Sequence, residues 1–279
     1  MPSRPPPPRA RASAKPGATR EQIERRERFT RARRESLRPA EADGPAILYG
    51  WHTVTAALRN PARRIRRFFA TENAARRLQD EGIAATPEVV RPSAIDERLL
   101  PDAVHQGLYL EADPLASPAI AALPARGIVL VLDQITDPHN VGAIFRSAAA
   151  FAATALVMTE RHSPDAAGAL AKAASGAIEL VPLVTVQNLA RSLAELRDRG
   201  FLLVGLDSEG DADLADLPLK APLALVLGAE GKGLRQLTRD TCDRLARIDV
   251  PGAIKSLNVS NAAALSLYIC ASRLGLMPS

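Results

Sequence analysis

Three largely apolar runs in the second half of the chain, Ile128 to Leu132, Leu223 to Leu227 and Leu245 to Ile248, each stop at a loop rich in glycine, asparagine or proline. A short apolar run bounded by turn residues predicts a strand buried on both faces. Helical periodicity follows the loops and is clearest over 260–274, where alanine and leucine recur at helical spacing. Strand, loop and helix repeated three times predict an α/β fold with a parallel sheet. In such sheets ligands gather at the loops beyond the carboxyl ends of the strands. Chemistry is therefore expected in these three loops.

Upstream the pattern is finer grained. Ile47-Leu48-Tyr49-Gly50-Trp51-His52 opens a unit with a predicted helix over 53–59, a strand over 65–70, a helix over 73–81 and an extended segment around Tyr109 to Glu111. The stretch 46–113 suffices for a small α/β domain with a modest core. Pro114, Ser117, Pro118 and Pro124 mark 114–126 as a stiff linker, leaving 127–279 for the larger domain.

Charge changes the picture at the N-terminus. Residues 1–46 hold 12 Arg or Lys and 6 Asp or Glu, a net +6, whereas the rest hold 24 and 25, a net −1; the two sum to the +5 of the 279-residue chain. A basic tail over 1–45 attracts phosphate backbones without regard to sequence, or serves as a solubilising extension. The pairs Glu21/Arg25, Glu24/Arg28 and Glu27/Arg31 each support a helix by only about 0.2–0.5 kcal/mol. Without an apolar face the tail is expected to be mostly disordered alone in water, with helix formation on RNA left open. A second cluster, Arg59, Arg63, Arg64, Arg66 and Arg67, lies beside Phe68 and Phe69. Arg63, Arg64, Arg66 and Arg67 read as RNA contacts in preference to a solvated connection between helix and strand, and Trp51, Phe68 and Phe69 as core.

Other classes recede. No apolar stretch is long enough to span a bilayer, and the first residues lack the apolar segment of a secretory signal, so a cytoplasmic location is expected. Cys242 and Cys270 are too few for a disulfide framework or a zinc site and read as buried small hydrophobes, and no metal is expected.

The loops carry the candidate chemistry. In Asp137 to Arg146, DPHNVGAIFR, Asn140 is a candidate helix N-cap and Arg146 lies six residues on. Six residues turn a helix through about 600°, so helical spacing alone does not bring the two together. Gly228-Ala229-Glu230-Gly231-Lys232-Gly233 permits close approach of backbone to a ligand, yet matches neither a dinucleotide fingerprint nor a P-loop. Glu230 alternatively reads as a first-turn carboxylate favoured by a helix dipole. Ser256-Leu257-Asn258 precedes the last helix, and either Ser256 or Asn258 is a capable cap. His139 lacks the spacing of a catalytic histidine.

The three segments DPHNVGAIFR, LVLGAEGKGL and IDVPGAIKSLNVSNAAA, in this order, resemble the SpoU/TrmH family of RNA ribose 2'-O-methyltransferases, within the SPOUT superfamily. The resemblance spans roughly 127–276, and LYGWHTVTAAL more weakly resembles the family's substrate-binding domain, similar to ribosomal protein L30e. It implies a trefoil-knotted parallel-sheet domain, a homodimer with the last helix at the interface, and S-adenosylmethionine as cofactor. Asn140, Arg146, Glu230, Ser256 and Asn258 match its catalytic positions, and Leu227, Gly228, Gly231, Ile248, Pro251 and Leu257 its cofactor-contacting ones. Arg146 is expected to clamp phosphate and ribose rather than accept a proton, because arginine keeps its proton in proteins. The implied reaction is methyl transfer to a ribose 2'-hydroxyl, on a guanosine of 23S rRNA. A tRNA substrate, or a catalytically silent ribosome-assembly factor, are the alternatives.

Overall fold

The computed structural model of the protein describes residues 44–101, 103–162, 169–254 and 256–278; the basic tail, with the RNA role expected of it, lies outside the described residues. Two sheets organise the rest. The smaller is built from β1 (Ala46–Tyr49), β2 (Ile65–Ala70), β3 (Glu88–Val89) and β4 (Leu108–Ala112), in the order β1-β4-β2-β3. It is packed by α1 (Trp51–Arg59), α2 (Glu72–Asp80) and the short α3 (Pro92–Asp96).

The larger sheet contains β5 (Ile128–Asp133), β6 (Ala155–Thr159), β7 (Leu183–Val186), β8 (Leu202–Leu206), β9 (Ala212–Asp213), β10 (Leu223–Gly228) and β11 (Arg244–Arg247). Every pairing in its order β7-β6-β5-β10-β8-β11-β9 is parallel. All six residues of β5 are buried, as are the first five of β10, which explains their unbroken apolar runs. Burying one such side chain contributes roughly 1.5–3 kcal/mol, several times any surface ion pair. β11 departs from the expected double burial: only Ala246 is fully covered, because the outer neighbour of β11 is the two-residue β9.

Helices flank this sheet: α4 (Pro138–Ala150), α5 (Ala169–Ala174), α6 (Leu189–Asp198), α7 (Gln236–Thr241) and α8 (Val259–Arg273). Val141, Ile144, Phe145 and Ala148 form the buried stripe of α4 at helical spacing. Gly142 lets α5 approach: a Cβ there would stand 2.4 Å from Ala173 Cβ and 2.7 Å from its carbonyl carbon.

The two sheets are not loosely strung. One apolar cluster runs from Leu48, Val54 and Leu110, about the smaller sheet, through to Leu130, Phe145 and Leu267. At its margin Arg63 is buried rather than free, and this corrects its expected role in RNA contact. Its Nε and Nη2 donate to Glu179 at 3.2 and 2.5 Å, and its Nη1 to the Asp113 carbonyl at 2.7 Å; the Arg63 and Glu179 side chains are each 3 % exposed. Asn60 Nδ2 donates to the same carboxylate at 2.7 Å. The segment expected as a linker is strapped down as well. Arg199 donates to the carbonyls of Ile120 and Leu123, and Ser117 Oγ accepts from Thr185 N at 2.8 Å.

Candidate active site

The three loops meet because their strands are parallel neighbours or nearly so. Asp137, not Asn140, caps α4: its carboxylate accepts from His139 N at 3.0 Å, and Pro138 takes the first helical position, where no N–H is needed. Asn140 therefore sits inside the first turn, with its amide aimed elsewhere. Asn258 caps α8, its Oδ1 accepting from Ser260 N at 2.9 Å and from Ser260 Oγ at 2.6 Å. With that oxygen committed, Asn258 Nδ2 donates to Asn140 Oδ1 at 3.1 Å, joining residues 118 positions apart. The Asn140 Nδ2 is left as a donor with no hydrogen-bond partner among the described residues.

The glycine loop closes on itself. Gly233 N donates to Ala229 O at 2.8 Å, and Gly231 and Gly233 take the left-handed φ values of +78° and +65°. A Cβ on Gly228 would stand 2.2 Å from the Gly233 carbonyl carbon, so this position admits no side chain. Glu230 lies in this bridged loop, not in a helical first turn, since α7 begins only at Gln236. It is exposed and makes no side-chain hydrogen bond among the described residues.

Asp133, which the motif reading passes over, anchors the far end of the loop. It is fully buried at the end of β5, in register with Gly228, and accepts from Arg235 N at 3.0 Å and Arg235 Nε at 2.7 Å. A charged residue ending an otherwise apolar run was the available signal. Asp133→Ala is expected to lower stability by about 2 kcal/mol, because the charged hydrogen bond is lost and the Arg235 amide left without its acceptor. Thermal melts read the loss, and amide exchange over 229–235 should quicken; an unchanged exchange rate would show that Asp133 does not hold the loop.

The third loop is framed by residues 207–214. Asp207 N donates to Ala246 O and Leu214 N to Arg247 O, while Asp249 N donates to Asp213 Oδ2 at 2.8 Å. A Cβ on Gly210 would lie 2.4 Å from the Ala246 carbonyl carbon. Beyond this frame Pro251, Ser256 and Leu257 are exposed, Ile248 is partly buried and Leu227 is buried. Leu257 is thus not a core residue. Arg146 is exposed on α4 and has no ion pair or hydrogen bond among the described residues. The structure brings Asn140 and Asn258 into contact and leaves Arg146, Glu230 and Ser256 exposed.

Neither cysteine joins this chemistry. Burial pushes the Cys242 and Cys270 thiols up to about 12, so neither is a thiolate near neutral pH. Among the described residues no group of three or more His, Cys, Asp or Glu is placed to hold a metal ion.

The parallel α/β sheet is, in fold, that of an RNA methylase of the SpoU type. The chain belongs to the SpoU rRNA methylase family, whose model matches residues 127–268, and residues 47–118 match the RNA 2'-O ribose methyltransferase substrate-binding family. Among its relatives is the 23S rRNA (guanosine-2'-O-)-methyltransferase RlmB of Ralstonia nicotianae, 40 % identical over 243 residues, covering 84 % of this chain and 98 % of that protein. The protein of the same name from Pseudomonas aeruginosa is 37 % identical over 236 residues, covering 79 % and 94 %. In fold the chain is similar to the SpoU methyltransferase AviRb of Streptomyces viridochromogenes, solved with AdoMet, at a TM-score of 0.70 and 22 % identity over 92 % of this chain and 94 % of that one. A solved RNA 2'-O ribose methyltransferase gives a TM-score of 0.72 at 22 % identity, over 90 % and 96 %.

Proposed function

We propose that the protein transfers a methyl group from S-adenosylmethionine to the ribose 2'-hydroxyl of a guanosine in 23S rRNA. The observation that carries this reading is the Asn258–Asn140 hydrogen bond, which joins the first and third motif loops and leaves the Asn140 amide a donor without a hydrogen-bond partner among the described residues. The names of the relatives supply the substrate.

The residues present suit the cofactor. Positions where a Cβ would meet nothing within 4 Å, Gly231 and Gly252, give the second and third loops open backbone edges, and Leu257 and Ile254 leave apolar surface uncovered beside them. Leu227, Gly228, Gly231, Ile248, Pro251 and Leu257 would hold the adenosine and methionine parts by backbone groups and apolar packing. Bound there, S-adenosylmethionine supplies an electrophilic methyl group on a sulfonium. The chain's own work is positioning, release of the hydroxyl proton as the new C–O bond forms and the C–S bond breaks, and exclusion of water. The Asn140 amide donates to a ribose oxygen, and Arg146 grips the neighbouring phosphate through its paired N–H groups. Glu230 and Ser256, both exposed, are assigned to the same site.

RNA is held by the small domain, where Arg64 and Arg67 are exposed and Arg66, paired with Asp113 at 2.5 Å, is half exposed. We further assign a homodimer through α8, whose outer face shows Leu265 and Tyr268, continued by Leu276 and Met277. The wrapping of 207–214 around β11 supports a knotted chain. No helix among the described residues is long and apolar enough to cross a membrane, and the site of action is taken to be the cytoplasm, where ribosomal RNA lies.

Incubating the protein with S-adenosylmethionine labelled in its methyl group and RNA from a strain lacking it, then mapping the labelled nucleotide, tests the reading. Label on a 23S guanosine ribose is the expected result. Label confined to tRNA overturns the substrate, and cofactor binding without any transfer favours the assembly factor.

A further inference from the structure

The small domain holds an open cleft of about 330 Å³ at the starts of α1 and α2 and the 105–107 turn, bordered by Trp51, Asn73, Arg77, His105 and Gln106. Its floor is a stack. The Arg77 guanidinium lies 3.7 Å from the centroid of the buried Trp51 ring, close enough for the planar cation to rest on the indole face. Arg77 Nε is held by Glu81 Oε1 at 3.0 Å, which fixes the plane, yet the side chain stays 56 % exposed. One face of the guanidinium is therefore covered by indole and the other is open.

Hydrogen-bonding groups line the same cleft. Gln106 adopts φ +52°, a left-handed conformation uncommon outside glycine and concentrated at functional positions. Its Oε1 accepts from Trp51 N at 2.7 Å, and its Nε2 has no partner among the described residues. Asn73 is exposed with its amide unengaged among the described residues. His105 Nε2 lies 3.1 Å from Asp96 Oδ1 and its Nδ1 accepts from Gly107 N at 3.0 Å, so its ring is held in place. A free planar face, amide donors and acceptors in reach, and a volume at the small end of the usual range of roughly 300–1,000 Å³ describe a seat for one flat heterocycle.

We propose that this cleft binds a single unstacked nucleobase of the RNA substrate, seated on the outer face of Arg77 and read by Asn73 and Gln106. The inference rests on the reading above that the substrate is RNA. Bases in a duplex keep their faces covered by one another, so only a loop, bulge or single strand offers such a face. A surface that gripped phosphates alone would take a duplex as readily as a single strand.

Trp51 is the single tryptophan of the chain, so its emission reports on the cleft. The full-length protein is titrated with a short single-stranded RNA and with a blunt duplex of equal length, in the wild type, Arg77→Ala and Arg77→Lys. A saturable change in emission with the single strand only, weakened about tenfold by either substitution, is expected from the loss of one stacked base. In methylation assays the KM for RNA should rise to match while kcat and the KM for S-adenosylmethionine hold. An equal response to duplex, wild-type affinity in Arg77→Ala, or full rescue by lysine, which keeps the charge but not the plane, overturns the proposal. Because the titration needs no turnover, it stands apart from the function itself: a wild type that responds to single strands but methylates no RNA refutes the reaction and not the cleft.

Discussion

Replacing Arg63 with alanine is expected to cost the fold about 3–5 kcal/mol, read as a lower urea midpoint, because the Glu179 carboxylate would then be buried with only Asn60 to hold it. The size follows from the burial of both partners; the same pair on the surface would contribute about 1 kcal/mol or less. Arg63→Lys should recover little, since one ammonium cannot span both Glu179 oxygens and also reach the Asp113 carbonyl. Exchanging both partners together, Arg63→Met with Glu179→Leu, should recover most of the loss, because no charge is then stranded. If that double variant stays stable but methylates RNA poorly, the pair's service is to fix the small domain against the large one. A loss under 1 kcal/mol in Arg63→Ala would show instead that water reaches Glu179.

The partner of Arg63 lies 116 residues further along the chain, which is why its cluster reads in sequence as an exposed basic face. Nothing local distinguishes it from Arg64 or Arg67, which do remain exposed. The apolar runs of β5 and β10 were legible because strands buried on both faces leave no polar alternation. For β11 the same inference overshot, since coverage depends on which strand lies outside it, a matter of topology rather than of its own residues. Asn140 as a cap was a local ambiguity: Asp137 followed by proline satisfies the same preference three residues earlier, and only one residue can occupy the position. The meeting of Asn140 with Asn258 was carried by family resemblance alone, as no spacing links loops so far apart. Asp133 escaped notice because its partner is a backbone amide and a guanidinium brought in by the neighbouring strand.

Arg146→Ala should lower turnover at least about a hundredfold, the scale of removing one preorganised donor from a developing charge. Arg146 projects from α4 into solvent, has no intramolecular partner among the described residues, and stands six residues beyond Asn140 on the same helix. Helix rotation separates the two by about 120° once full turns are removed, so in the proposed role they would meet a bound nucleotide from different sides rather than touch each other. An exposed, unpaired arginine costs nothing to the fold when truncated, so the melting temperature should hold while activity collapses. Donor affinity should hold too, because the proposed cofactor contacts come from the end of β10 and the loops after β10 and β11, not from α4. Lysine at this position should recover only a small share: it restores the charge but presents no planar pair of donors to two oxygens. A fall in kcat larger than any rise in KM for RNA would place the contact in the transition state, whereas a change in KM alone would reduce Arg146 to a tether for the backbone. Undiminished turnover in the lysine variant would remove the bidentate grip on which the proposed role of Arg146 depends.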